Sequence, residues 1–295
     1  PRQVTLLNVL EDQLDRFVDP ALVRDMLATV ASRTTDAVIL NADDQNILQI
    51  NKSIETKNAS WFGIAKELID STTHGLGSAP TYLENLDRPI TDSEAESLTG
   101  KSISARIGGK KVTFDLPNRG MHYVLDAIAA LESARRYLGS EFNLEMAAST
   151  ISNLPPVFAR GEVTKVNGVD VEFILVQNPM SFQLNLDNLP KDQEQLMVAI
   201  GRDVHDPSWL WTVDFRNLPP VQIVSGFNFA EIGLRLAYAG IPVEKVVPEL
   251  LEAVDEFFAQ PAPSQGRRTV IFSADAMRRT RRHLGFTSPD AVGQE

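Results

Sequence analysis

The feature that most constrains the fold is a set of short apolar segments in the second half of the chain. Val171–Val176, Met197–Ile200, Val221–Val224 and Val270–Phe272 are nearly continuous in hydrophobic residues. A strand without polar alternation is buried on both faces, as in a parallel sheet covered by helices on each side. Helical patterns at Phe229–Ala239 and Val247–Phe258 lie between the last two segments. Strand and helix in alternation predict a doubly wound α/β sheet.

The opening of the chain has the same grammar. Val4–Leu7 reads as a strand, Asp19-Pro20 as a helix start, and Ala37–Leu40 as a second strand. Leu22, Met26, Leu27 and Val30 recur between them at helical spacing. Trp61–Lys101 carries scattered Gly, Pro, Ser and Asp and reads as a loop-rich insertion with one or two short helices. Ile103–Ile107 and Lys111–Phe114 flank Gly108-Gly109, a hairpin signal. A helix from Val124 to Leu138 stops at Gly139, and another near Leu144–Ile151 ends before Pro155-Pro156. A chain of 295 residues exceeds what one compact core usually holds. The expected division is 1–157, 158–286 and a polar, mobile tail at 287–295.

Composition narrows function. The net charge of −11 disfavours a nucleic-acid partner. Arg278, Arg279, Arg281 and Arg282 form a local basic run, read as a solvated helix end. The absence of cysteine excludes disulfides and thiolate metal sites. No apolar run has the length to span a bilayer, and no secretory signal opens the chain, so a cytoplasmic location is expected.

Ligands of open α/β sheets sit beyond the carboxyl ends of the strands. Two segments fall there. In LNADD, Leu40–Asp44, an Asn and two carboxylates can hydrogen-bond a ribose or base, or simply form an Asx turn. In GRDVHDPSWLW, Gly201–Trp211, Asp203, His205 and Asp206 lie beside two tryptophans. A carboxylate near a His can orient the ring and stabilise its cation; the alternative is a surface loop anchored by Trp209 and Trp211. His74, His122 and His283 lack ligand spacing and read as structural. Gly226, between a strand and a helix, is a weak phosphate-cradle signal, and no GxxxxGK[ST] loop occurs in these residues.

Several segments, in order, resemble the MurT-type subunit of lipid II isoglutaminyl synthase, within the Mur ligase family. They are NVLEDQLDR (Asn8–Arg16), LNADD, LPNRGMHYVLDAIAAL, FARGE (Phe158–Glu162), ILVQNPMSF, DPSWLWTVDF (Asp206–Phe215) and SGFNFAEIGLRLAYAGI (Ser225–Ile241). The resemblance implies part of a Mur-ligase central α/β domain followed by a Rossmann-like carboxy-terminal domain. It implies a subunit that works with a GatD-type glutaminase, uses ATP and magnesium to activate the α-carboxyl of D-glutamate in the lipid II stem peptide, and yields D-isoglutamine when ammonia attacks the acyl phosphate. Peripheral contact with the membrane-bound lipid follows. It assigns Asp206 to completing the partner's Cys–His pair. It assigns Asn41, Asp43, Asp44 and Arg160 to the nucleotide, and His205, Trp209 and Asn178 to the partner interface.

This chain departs from the family pattern in places. The P-loop and a magnesium carboxylate are expected before Pro1. The family's four-cysteine zinc ribbon has no cysteines here, so zinc is not expected, and Trp61–Lys101 stands in its place. His122 and Asp126 replace two Asn, and Asn228 or a neighbour replaces an Arg. Three functions remain in play: an amidotransferase subunit, a non-catalytic Mur-like scaffold for a glutaminase or cell-wall precursor, and a folylpolyglutamate synthetase relative. The SWLW segment speaks against the last.

Overall fold

A computed structural model describes residues 1–11, 17, 19–54, 58–155, 160–190 and 192–286. The DQLDR motif and the 287–295 tail lie outside the described residues. The chain divides into two compact units, 1–155 and 156–295.

The first unit runs β1 (Gln3–Leu6), α1 (Pro20–Ser32), β2 (Ala37–Asn41), α2 (Gln45–Ile54), β3 (Ala59–Ile64), α3 (Lys66–Asp70), β4 (Ser93–Thr99), β5 (Ser102–Ile107), β6 (Lys110–Asp115), α4 (Met121–Leu138) and α5 (Leu144–Ser152). The strands pair in chain order, β1 to β6. Strands β1 to β4 are parallel and the last three form an antiparallel meander. Asp19 caps α1, its Oδ1 accepting from the Ala21 amide at 2.8 Å, with Pro20 at the first turn as its fixed φ favours. Helices α4 and α5 cover one face of the sheet through Val124, Ile128 and Leu131. The other face packs Leu6, Val38 and Leu40 against Ile47 and Ile50 of α2.

The Trp61–Lys101 insertion requires correction. β3 and β4 are internal strands of this sheet, not loop. Their strand pattern is weak in the sequence because β3 (ASWFGI) mixes small and polar residues and β4 (SEAESLT) is polar on one side. Ser93 and Ala95 of β4 point inward while Glu94 and Glu96 stay partly exposed, the period-2 signature of a strand with one wet face.

The second unit runs β7 (Arg160–Val166), β8 (Val169–Leu175), α6 (Pro179–Asp187), β9 (Gln195–Ala199), a 3-10 helix (Pro207–Thr212), β10 (Val221–Ser225), α7 (Phe229–Tyr238), β11 (Val243–Val247), α8 (Leu250–Ala259), β12 (Arg268–Phe272) and α9 (Ala274–His283). The sheet order is β11-β10-β9-β12-β8-β7. All of its pairs are parallel except β7 with β8. Helices α8 and α9 cover the face built from Phe173, Met197 and Phe272. Helix α6, the 3-10 helix and α7 cover the face built from Leu196, Val198 and Ile271. The helix expected from Val247 is instead the end of edge strand β11 followed by α8, which begins at Leu250. No described helix is long and apolar enough to cross a membrane.

Candidate functional site

The carboxyl end of β2 leads into LNADD. Asn41 forms the Asx turn: its Oδ1 accepts from the Asp43 amide at 2.8 Å and its Nδ2 donates to the Leu7 carbonyl at 2.7 Å. Asp44 caps α2. One oxygen accepts from the amides of Asn46 and Ile47 at 2.8 and 3.1 Å, and the other from Val9 at 2.8 Å. Asp43 accepts from the Ile64 amide and from Arg88 Nε, each at 2.7 Å. Arg88 goes on to the Ile64 carbonyl at 3.0 Å and Glu94 at 2.8 Å. The segment carrying Arg88 is tied down by paired bonds between Gln45 and the Leu86 backbone at 3.0 and 2.9 Å. Gly63 leaves the needed space, since a Cβ there would meet Arg88 and Asp43 at 2.7 Å.

Burial pushes both carboxyls above their ordinary range. Arg88 opposes this at Asp43, and backbone amides oppose it at Asp44. Asn41, Asp43 and Asp44, assigned by resemblance to a nucleotide, therefore spend their hydrogen bonds on the fold. A buried carboxylate without partners is too costly to persist, and these have recruited theirs from the chain itself. As placed, they do not fit a magnesium ion or a ribose. Among the described residues no cluster of His, Asp or Glu has the arrangement of a metal site. Arg160 opens β7 opposite Ile174.

The second place is the turn after β9, a central strand of its sheet. Three neighbours build it. Gly226, at φ +95°, lies so close to this strand end that a Cβ would come within 2.4 Å of the Ile200 carbonyl. Asn228 donates from Nδ2 to the carbonyls of Gly201 and Val204, each at 2.9 Å. From the β12 side, Ser273 Oγ accepts from the Gly201 amide at 2.7 Å and donates to Asp203 at 2.6 Å. Asp203 also accepts from the amides of Ala274 and Asp275 at 2.8 and 3.0 Å. Asp203 thus caps α9 from a neighbouring strand, where its charge suits the helix dipole.

Asp206 closes this turn as the N-cap of the 3-10 helix, accepting from the Ser208 amide at 2.9 Å. Ser208, through its hydroxyl and then its amide, holds the Asp206 carboxyl below the ordinary range. Asp206 is half-buried and His205 is exposed. The 3-10 helix drives Leu210 fully into the core, so its two neighbours flank that contact. Trp209 packs edge-on against Phe182, with ring centroids 6.2 Å apart, and lies partly buried against the core. Trp211 is the exposed tryptophan, edge-on to Tyr238 at 5.4 Å. Arg235 braces the segment, donating to the carbonyls of Leu210 at 3.2 Å and Val213 at 2.7 Å. Asn178 caps α6, accepting from the Ser181 amide at 2.8 Å in a capping box.

Two other histidines have contacts within their own units. His283 pairs with Asp255 at 2.6 Å on the surface of α9. His122 sits against the Tyr123 ring on α4, with centroids 4.5 Å apart. Of the basic run, Arg281 is not solvated: it is buried, binds Glu162 at 2.9 Å and lies over the Phe173 ring.

Residues 175–274, which span this turn and its clamps, match the family model of the MurT ligase C-terminal domain. Over that segment the chain is similar to a MurT-type carboxy-terminal domain. Solved structures agree on the fold. A pseudomurein peptide ligase type C from Methanothermus fervidus superposes with a TM-score of 0.74 at 13% identity, covering 96% of this chain and 62% of that one. A MurF from Acinetobacter baumannii gives 0.67 at 15% identity, covering 97% and 59%. A MurF ligase from Thermotoga maritima, solved in complex with ADP, gives 0.62 at 15% identity, covering 97% and 61%. The chain thus spans about three-fifths of the length of these relatives. Comparison with curated protein sequences finds no match. Asp206 and Asn228 both lie inside the matched MurT-type domain.

Proposed function

We propose that this chain is the ligase-type subunit of a glutamine-dependent amidotransferase that, with a GatD-type glutaminase, converts D-glutamate of the lipid II stem peptide to D-isoglutamine. Asp206 supplies the acid that orients and charges the histidine of the partner's Cys–His pair. The observation that carries this reading is the state of Asp206. It is a half-buried carboxylate whose pKa Ser208 lowers, on a turn clamped from two neighbouring strands, inside the segment that matches the MurT ligase C-terminal model. A His-orienting acid needs a fixed position and a permanent charge. A cytoplasmic location, where both the nucleotide and the lipid head group are reachable, goes with this reading.

The test is to co-purify the chain with a GatD-type glutaminase and assay glutamine hydrolysis. Asp206→Ala is expected to leave the complex intact and lower kcat by several orders of magnitude, about 10⁴ by analogy with other acid–His pairs. Unchanged hydrolysis removes Asp206 from the mechanism.

A second reading, a non-catalytic Mur-like scaffold, is favoured by a different observation. Asn41, Asp43 and Asp44 are closed into the fold of the first unit and do not fit ATP or magnesium. Calorimetric titration of the protein with ATP and magnesium separates the two readings. Saturable binding supports the ligase subunit and counts against the scaffold.

A further inference from the structure

We infer that Asn228 is the positioning residue of the Asp206 turn, a role that rests on the function proposed above. Asn228 is buried at the start of α7, yet its side chain serves β9 rather than its own helix. Its amide nitrogen donates both protons, one to the carbonyl of Gly201 and one to that of Val204. Those residues begin and end a turn whose own closing bond, Val204 amide to Gly201 carbonyl, is a long 3.4 Å. The turn is therefore closed chiefly by the staple. The backbone amide of Asn228 adds a third tie, donating to the Ile200 carbonyl at 2.9 Å. His205 and Asp206 leave the turn directly after Val204, so the staple sets the backbone from which both project.

The chemistry of the staple suits an Asn. A primary amide of this length offers two protons from one atom, and both carbonyls it serves belong to buried residues. Aspartate has the same shape and the opposite polarity. In the Asn228→Asp variant an ionised carboxylate would face two carbonyl oxygens and repel both. Protonated, it could donate one hydrogen bond and half-restore the staple, and burial would raise the pH at which that happens.

The experiment compares wild type, Asp206→Ala, Asn228→Asp and Asn228→Ala, each bound to the glutaminase. Glutamine hydrolysis is measured across pH, with thermal melting and complex affinity recorded alongside. Amide hydrogen exchange of residues 200–206 is followed in the free chain. The expected result is that both Asn228 variants still bind the glutaminase and lose about 10–100-fold in kcat with little change in KM, as a slightly misplaced group does. Exchange in the 200–206 peptide accelerates. Asn228→Asp, normalised to wild type at each pH, recovers activity as pH falls, and Asn228→Ala does not. A purely structural role predicts lower melting temperatures with no selective loss of kcat and no recovery in acid. Wild-type hydrolysis in Asn228→Asp beside an inactive Asp206→Ala overturns this inference alone. Full activity in Asp206→Ala overturns the underlying reading, and the positioning role with it.

Discussion

At Asp206 one neighbour lowers the carboxyl's pKa. Ser208 donates to the carboxylate and holds it below the ordinary range. Replacing Ser208 with Ala removes the hydroxyl and part of that hold. The acid limb of the glutaminase pH profile is then expected to move to higher pH, read by kcat against pH in the complex. Asp44 shows the other use of a carboxylate, as the cap of α2. Asp44→Ala leaves buried amides without acceptors and is expected to cost about 1–2 kcal/mol, measured by urea unfolding. Asp43 behaves in the opposite sense to an exposed ion pair. Its folded pKa lies above its unfolded value because burial outweighs Arg88. In the window between the two values the folded state holds more protons, so stability falls as pH rises through it. Wild type should therefore gain stability relative to Asp43→Asn as pH is lowered from neutrality toward the ordinary carboxylate range, compared by unfolding free energies. At this scale the turn-forming character of LNADD was legible, because Asn and Asp close Asx turns by local geometry. Its pairing with Arg88 was not, since no local pattern announces a contact across a separation of 45 residues.

Among the elements, α4 carries a buried electrostatic commitment. Glu132 is fully buried and accepts from Arg135 Nε at 2.8 Å, from Ser93 Oγ at 2.6 Å and from the Ser60 hydroxyl. The pair ties α4 to β3 and β4, the two strands that the sequence reading took for loop. Arg135→Ala strands the carboxylate in the interior, and breaking such a pair costs about 3–5 kcal/mol. A matching fall in melting temperature, largely relieved by also making Glu132→Leu, is the expected outcome. A polar strand such as β4 becomes a strand because Glu94 and Glu96 find Arg88, Arg106 and Lys111 across the sheet. That is information its own residues do not contain. The helices were easier to read. Asp19-Pro20, the apolar face of α4 and Gly139 are local signals, and the helices begin and end near them. On α9, charge misled: four arginines read as a wet surface, but the one facing β7 is buried over Phe173.

In the whole molecule, two sheets each carry their own cores on both faces. A sheet covered on both faces completes its burial within its own unit. Residues 156–295 expressed alone are therefore expected to unfold cooperatively in urea, with tryptophan emission from Trp209 and Trp211 as the probe. A gradual, non-cooperative loss of signal would count against an autonomous unit. The α/β class and the run of parallel strands in the second half were both determined by the sequence itself. Apolar runs of strand length bounded by helical periodicity can be buried in few ways, and loops after parallel strands fall on one edge of the sheet. Tertiary structure alone decided which polar side chains that edge leaves for chemistry. Asp203 went to the start of α9 and Asn228 to the turn, while Asp206 stayed half-buried at the start of the 3-10 helix; in the first unit, Asp43 went to Arg88. Each choice depends on a hydrogen-bond partner brought from a distant part of the chain, and only the folded geometry selects it.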